Sequence, residues 1–442
     1  MRPTTWIPTL FATEAIPSVL ITFVSFIMFL QMKVTPEVAT MYCGLLSLPW
    51  VLKSFVRAQV KRVGFYRTVL LWIEWCMFIT LSAIALYFPR HMGTCNSLFA
   101  AMFGLSVLCA WHELAARMYY ERMLFPRYQR FYNSLKTIAS QTMTVVTYGM
   151  LIVVVSYLQV AYRNIPHAWS MGCYLLAGAI LLMTLYHMAI LQRPPVNDTT
   201  RKGSMVDDVR AEMNVISRIR RKPQFFAIII GLFLMLLPQG LMFYTRVLFL
   251  LSPVELGGLS CSIQEVGLAQ GTIGVIAFSL GIAFGRRLLH WVSIKRVFWW
   301  MAIPLGISPL IYVLMTFDPP SSLLILCVAT FQAQFCFGFG LNLCMSFVHY
   351  LSGERYRNTI NYLYVPVVAA SMCLPIMVSG WLVQHLGFKA FFILDALTAP
   401  LSWLYLGTNH MRRILSRKIT RQTNAHYRHK GNPTQKEQPK AD

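Results

Sequence analysis

Residues 7–31 read IPTLFATEAIPSVLITFVSFIMFLQ, Ile7 to Gln31, a run of 25 residues whose one charged group is Glu14, three positions ahead of Pro17. A helix crossing the roughly 30 Å hydrocarbon core of a bilayer needs about 20 mostly apolar residues, and this run is long enough. Eleven more segments of the same kind follow: about 37–57, 68–88, 96–118, 132–162, 166–190, 224–250, 263–285, 297–316, 321–348, 359–384 and 388–408. Their apolar runs are continuous and long instead of alternating over about ten residues, so they predict helices and not barrel strands. Composition agrees. The 442-residue chain is 56% hydrophobic and 12% charged, where a soluble domain carries about 25% charged residues. The first segment is not expected to be a cleaved signal peptide. Its apolar run is too long and no small-residue cleavage site follows it.

The formal net charge of +23 is explained by the membrane and not by nucleic acid. The loops after segments two, four, six, eight and ten, with their flanks, hold 24 Lys and Arg, and the opposite loops hold four: Lys33, Arg90, Arg163 and Lys389. This positive-inside pattern places both termini in the cytoplasm, in a multi-pass protein of the inner (plasma) membrane. The basic tail from Arg412 fits the same side, where anionic lipid attracts each basic residue by about 1 kcal/mol. The domains expected are a six-helix half over 1–190, a cytoplasmic linker over 191–223, a second six-helix half over 224–408 and a basic tail over 409–442. A weak repeat supports the division: VKRVGFYRTVLLW (60–72) and LHWVSIKRVFWW (289–300) stand at equivalent places in the two halves. The fold class is therefore an all-α membrane protein of twelve transmembrane helices in two halves, expected as a monomer.

Ionisable groups inside membrane helices cost about 2.5–3.5 kcal/mol each on insertion scales, so each is a candidate for function. Glu14 lies on the order of 10 Å from the cytoplasmic start of its helix, beside the proline break at Pro17. Segment seven is expected to be interrupted correspondingly at Pro238-Gln239-Gly240, and paired interruptions point to a transporter's binding site. Glu14 reads either as a titrating group on the solute pathway or as a structural cap. Glu113 and Arg117 stand at i and i+4 on one helical face, close to Lys53. With His112 they read as a cytoplasmic gate, with a plain surface pair or direct solute contact as alternatives. Arg246, near the outer edge, is expected to snorkel to water, with attraction of an anion at the outer mouth as the other reading. Glu74 and Asp395 are expected to be structural pairs. Gln332, Gln334 and Asn342 would hydrogen-bond either a solute or a neighbouring helix. The GxxxG spacings Gly267-Gly271 and Gly281-Gly285 let helices approach closely, at a sliding interface between the halves or in static packing. The ten cysteines suggest neither a disulfide framework nor a metal site. Cys95 and Cys261 alone fall near the outer face.

Several of these stretches resemble one family. TEAIP (Thr13–Pro17) is similar to the T-E-G-L-P signature of major facilitator proteins related to the muropeptide permeases, the peptide–acetyl-coenzyme A transporter group. Leu48 to Lys53 resembles that group's segment-two motif, His112 to Ala116 its H-D-I-A-A-D-G, and Glu265 to Gly274 its segment-eight start. Gly380-Trp381-Leu382 with Leu386-Gly387-Phe388 resembles its segment eleven. The resemblance implies the major facilitator fold, with segments one, four, seven and ten lining a central cavity, and import of an amphiphilic solute such as a cell-wall fragment. The chain departs from the pattern where Arg117 replaces a second aspartate, Glu113 the first, Gln239 an acid of segment seven, and Val60-Lys61-Arg62 a further acid. The missing acids would either argue against proton coupling or concentrate it on Glu14.

The function expected is secondary transport of a small solute by alternating access, proton-coupled. The alternative is a non-transporting membrane sensor or partner-binding pseudotransporter. No cofactor is expected, and no enzyme activity. There is no P-loop and no nucleophile–base constellation, and Ala116 stands where a zincin helix beginning His112-Glu113 would need its second histidine.

Overall fold

The computed structural model describes residues 2–52, 66–87, 95–193, 224–288 and 294–408, together with Arg210, Asn214, Ser217 and Trp291. Lys53, most of the linker, residues 60–65, 289–290 and 292–293 of the repeated stretches, and the basic tail lie outside the described residues. The helices are α1 (Pro3–Gln31), α2 (Pro36–Leu46, continued by Leu48–Val51), α3 (Tyr66–Tyr87), α4 (Cys95–Met123), α5 (126–162), α6 (Ile165–Ile190), α7 (Gln224–Leu251), α8 (Ile263–Leu288) and α9 (Ile294–Phe317). One helical run, Leu323–Gly407, completes the chain.

Local sequence explains where several of these helices begin. Prolines at the first turn of α1, α2, α5 and α6 supply a preset φ where no hydrogen bond is needed. Asn164 caps α6 by accepting from the His167 backbone N–H at 3.0 Å. Ser262 and Glu265 form a reciprocal capping box at α8. At the far end of α6, Arg67 donates to the terminal carbonyls of Leu191 (2.6 Å) and Met188 (2.8 Å).

The run Leu323–Gly407 cannot be one rod. A straight helix of that length would extend about 128 Å, yet Lys389 sits 3.9 Å over the Phe317 ring and Gly306 abuts Trp403. Gly387, at φ +74°, makes one of the reversals in a conformation that side chains rarely tolerate. The run supplies three passes, α10 (323–342) along α8, α11 (366–386) along α2 and α7, and α12 (388–407) along α7 and α9. Among the described residues nine helices are by themselves long and apolar enough to span a membrane, one of them the 40-residue stretch Pro366–Tyr405 that holds two passes. The protein is an all-α, multi-pass membrane protein.

One end of the bundle carries Gln31, which accepts from Trp169 Nε1 (2.5 Å) and Gln159 Nε2 (2.8 Å). The other end carries Arg67. The ring stacks, hydrogen bonds and close glycine contacts described between α1–α6 and α7–α12 lie in the Gln31 half or at mid-bundle. Phe23 meets Phe243 at 5.5 Å, and the Tyr244 hydroxyl donates to the Thr22 carbonyl at 2.5 Å. Cys373 Sγ donates to the Gly44 carbonyl at 3.1 Å. Gly267 and Gly271 of α8 press on Ile152 and Gly149 of α5, and Ser279 donates to Gln141 at 2.9 Å.

The glycines of α8 therefore serve two surfaces. The first pair faces α5, and the second faces α10, where a Cβ at Gly281 would strike the Phe335 carbonyl. Backbone cannot yield as a side-chain tip can. Gly281→Leu should cost about 1–3 kcal/mol or more by overpacking, read as a lower melting temperature of the detergent-purified protein. Cys261, between α7 and α8, is a free thiol. Burial, with the Glu265 carboxylate beside it, pushes its pKa up to about 11, which keeps it protonated and unreactive.

A buried arginine and two carboxylate clusters

Three stretches of helix widen into π-helical turns: Leu20–Val24 in α1, Val146–Met150 in α5 and Gly267–Gly274 in α8. Such turns are rare and concentrate at functional sites. Here they meet. Phe23 stacks on Tyr148 at 4.9 Å, and a Cβ at Gly271 would come within 2.7 Å of the Gly149 backbone. Pro17 lies inside a continuous helical stretch, and the departure follows three residues later at Leu20. The interruption expected at Pro238 is not present, because α7 runs unbroken from Gln224 to Leu251. Packing on both sides holds it: Gln239 Nε2 donates to the Leu305 carbonyl of α9 at 2.9 Å, and Gly240 seats against Met372 and Pro375 of α11. Gln239 and Gly240 thus meet α9 and α11 of the second set of helices.

Arg246 does not snorkel. It is 4% exposed, because α1 and α5 close over the end of α7 that would otherwise meet water. Its guanidinium lies 5.1 Å from the Phe243 ring centroid, and the ionisable groups acting on it are the phenols of Tyr148, Tyr244 and Tyr312. Beside it, Gln334 Nε2 donates to Gln270 Oε1 (3.1 Å) and Gln270 Nε2 donates to the Tyr312 hydroxyl (3.0 Å). Gln334 joins this cluster and Gln332, two residues away, does not. Positions two apart point to different faces of a helix, and Gln332 is exposed. Asn342 lies two turns further along, against Gly285.

The carboxylates fall in two other groups. Glu14 is half-buried, and with Glu113 it acts electrostatically on Cys109 of α4. Glu113 is 3.9 Å from Arg117 and accepts from Trp50 Nε1 at 3.2 Å. Lys136 of α5 sits 4.2 Å over the Phe11 ring, one turn from Glu14. His112 is not part of this group. It turns to the opposite face, fully buried, where its Nε2 lies 3.2 Å from Glu74 Oε1. The same oxygen is 2.7 Å from His187 Nδ1 of α6, and His187 Nε2 is 3.1 Å from Thr9 Oγ1 of α1. One carboxylate and two imidazoles thus link α1, α3, α4 and α6 in the apolar interior. His187 was missed at the sequence level. Its signal is a histidine in the otherwise apolar LLMTLYHMAI, which counts of formal charge overlook. Asp395 of α12 is fully buried, and neither carboxylate oxygen has a hydrogen-bond partner among the described residues. The pairing expected of it is therefore not seen. Among the described residues no group of three His, Cys, Asp or Glu is placed to hold a metal ion.

No family model and no curated protein matches the sequence. Solved structures match the shape. The nucleoside transporter NupG aligns over 91% of this chain and 98% of its own, at a TM-score of 0.64 and 15% identity. A bacterial homologue of the human lysosomal transporter Spinster, inward-facing and unoccupied, aligns over 91% and 95% at 0.66 and 12%. A structure of a proton-dependent oligopeptide transporter aligns over 93% and 99% at 0.66 and 12%. The chain has the major facilitator fold. In this facilitator fold Glu14, Glu113, Arg246 and Gln334 fall on α1, α4, α7 and α10, the helices expected to line the cavity. Glu74, His187 and Asp395 fall on α3, α6 and α12.

Proposed function

We propose that this protein is a secondary transporter that moves a small solute across the inner membrane by alternating access, coupled to protons, with both termini cytoplasmic. The observation that carries the reading is that, among the described residues, the contacts between α1–α6 and α7–α12 fall in the Gln31 half and at mid-bundle. With the basic loops at the Arg67 end placed in the cytoplasm, the Gln31 half is the outer one. The halves 1–190 and 224–408 then rock as two bodies joined by the linker 191–223. The structural neighbours support transport as the activity, since they are transporters of nucleosides, of xylose with protons, or of oligopeptides. The motif resemblance adds an amphiphilic solute such as a cell-wall fragment.

Two groups are suited to carry the proton. Glu14 lies on a cavity-lining helix next to a π-helical turn, and Glu113 with Arg117 and Lys53 would close the cytoplasmic side. The Glu74–His112–His187 set is the other. Metabolite comparison of a deletion strain supplies the solute, and uptake into vesicles then tests the coupling. Glu14→Gln should lower pH-gradient-driven uptake at least about tenfold, the order expected for loss of a positioned proton-transfer group, while solute exchange without a gradient persists. Uptake in this variant with undiminished dependence on the gradient would remove Glu14 from the mechanism.

A further inference from the structure

We propose that Arg246 is the seat of a bound anion, and that the solute of this protein is a small organic anion whose carboxylate or phosphate group docks on that guanidinium. This deepens the transport reading and rests on it.

A buried charge is ordinarily paired, because an unpaired one forfeits its hydration without return. Arg246 is 4% exposed, and the groups acting on it are three phenols, one each from α5, α7 and α9. Asp395, the buried carboxylate of the second set of helices, is not among them. Among the described residues the guanidinium has no ion pair, and its Nε has no hydrogen-bond acceptor. The positive charge therefore stands in a low-dielectric interior without a counter-charge among the described residues.

The polar groups around it are neutral and can donate. Tyr312 accepts from Gln270, which leaves its own O–H hydrogen free to be donated elsewhere. Gln334 spends one of its two N–H groups on Gln270. The Thr147 hydroxyl, next to Tyr148, is buried without a partner among the described residues. Phe243 lies 5.1 Å from the guanidinium, and the planar, bidentate pairing that carboxylate and phosphate offer would satisfy the fork. All of this lies where the three π-helical turns converge, between helices of the two halves. An anion seated there would be held by α7 while touching α5 and α8, so its binding would bear on their separation.

Full-length protein purified in detergent tests the proposal with matched probes: benzoate against benzamide, and glucose 6-phosphate against glucose. At least one anionic probe should raise the melting temperature by on the order of 5 °C at saturation, and its neutral counterpart should not. The shift should vanish in Arg246→Met and be retained, at least tenfold weaker in apparent affinity, in Arg246→Lys. The benzoate and glucose 6-phosphate arms tell carboxylate from phosphate. Arg246→Met should also leave the melting temperature of the ligand-free protein unchanged or higher, since it removes an uncompensated charge. Three results overturn the proposal: no anionic probe shifts the parent, the shift survives in Arg246→Met, or Arg246→Met melts lower without ligand. Failure of the transport reading is separate, because it would appear as outer-end accessibility that never changes while anion binding persists.

Discussion

Gly271→Leu is expected to hold the outer end open. A Cβ at Gly271 comes within 2.7 Å of Gly149 Cα and N, and Gly149 in turn has no room for displacement toward Thr272. Both neighbours are backbone in π-helical turns, so relief requires α5 and α8 to separate. Overpacking of this kind costs about 1–3 kcal/mol. That cost falls on the joined state alone, which amounts to a shift of roughly 5–150-fold in the balance between states. Cys373 reports it, since its thiol is 2% exposed and donates to the Gly44 carbonyl across a second contact between the two sets of helices. With Cys373 as the sole cysteine, a membrane-impermeant maleimide added from outside should label Gly271→Leu about tenfold faster than the parent. Equal rates, in protein that still elutes as a single species, would mean that the glycine contact between α5 and α8 does not govern closure.

Glu74→Ala should be the most damaging substitution in the first six helices. Glu74, His112 and His187 are each fully buried, and one carboxylate oxygen serves both rings. Removing it leaves two imidazoles without their shared partner in an apolar interior. Breaking a buried ionic set in this way costs about 3–5 kcal/mol, which corresponds to a fall of roughly 6–10 °C in melting temperature at about 2 °C per kcal/mol. Glu74→Gln keeps the shape and can still hydrogen-bond one ring, so its fall should be less than half as large. A melting temperature for Glu74→Ala within 1–2 °C of the parent (roughly the effect of a surface change) would show that the histidines are satisfied without the carboxylate.

How much of the site was legible differs residue by residue. Glu14 stood out because it is the single charge in a 25-residue apolar run. Glu113 and Arg117 were paired correctly because i,i+4 spacing is a property of one helix. Arg246 was assigned to the water interface from its distance along α7 alone. Distance along a helix says nothing about which neighbours cover it, and α1 and α5 do. His112 was grouped with Glu113 by adjacency, although successive residues on a helix point about 100° apart. Its partner, Glu74, comes from α3, 38 residues away in the chain.

The sequence by itself determined that this chain crosses a membrane many times as helices. A bilayer leaves few options, since every backbone group must be satisfied within the segment and the segment must be long and apolar. It also set which loops carry the positive charge. Tertiary structure alone decided that the contacts described between α1–α6 and α7–α12 lie in the Gln31 half and at mid-bundle, that the glycines of α8 divide between α5 and α10, and that Arg246 and a carboxylate–histidine set occupy separate interiors. These depend on which faces of remote helices meet. Many helix arrangements satisfy the same apolar pattern, and only close packing selects among them.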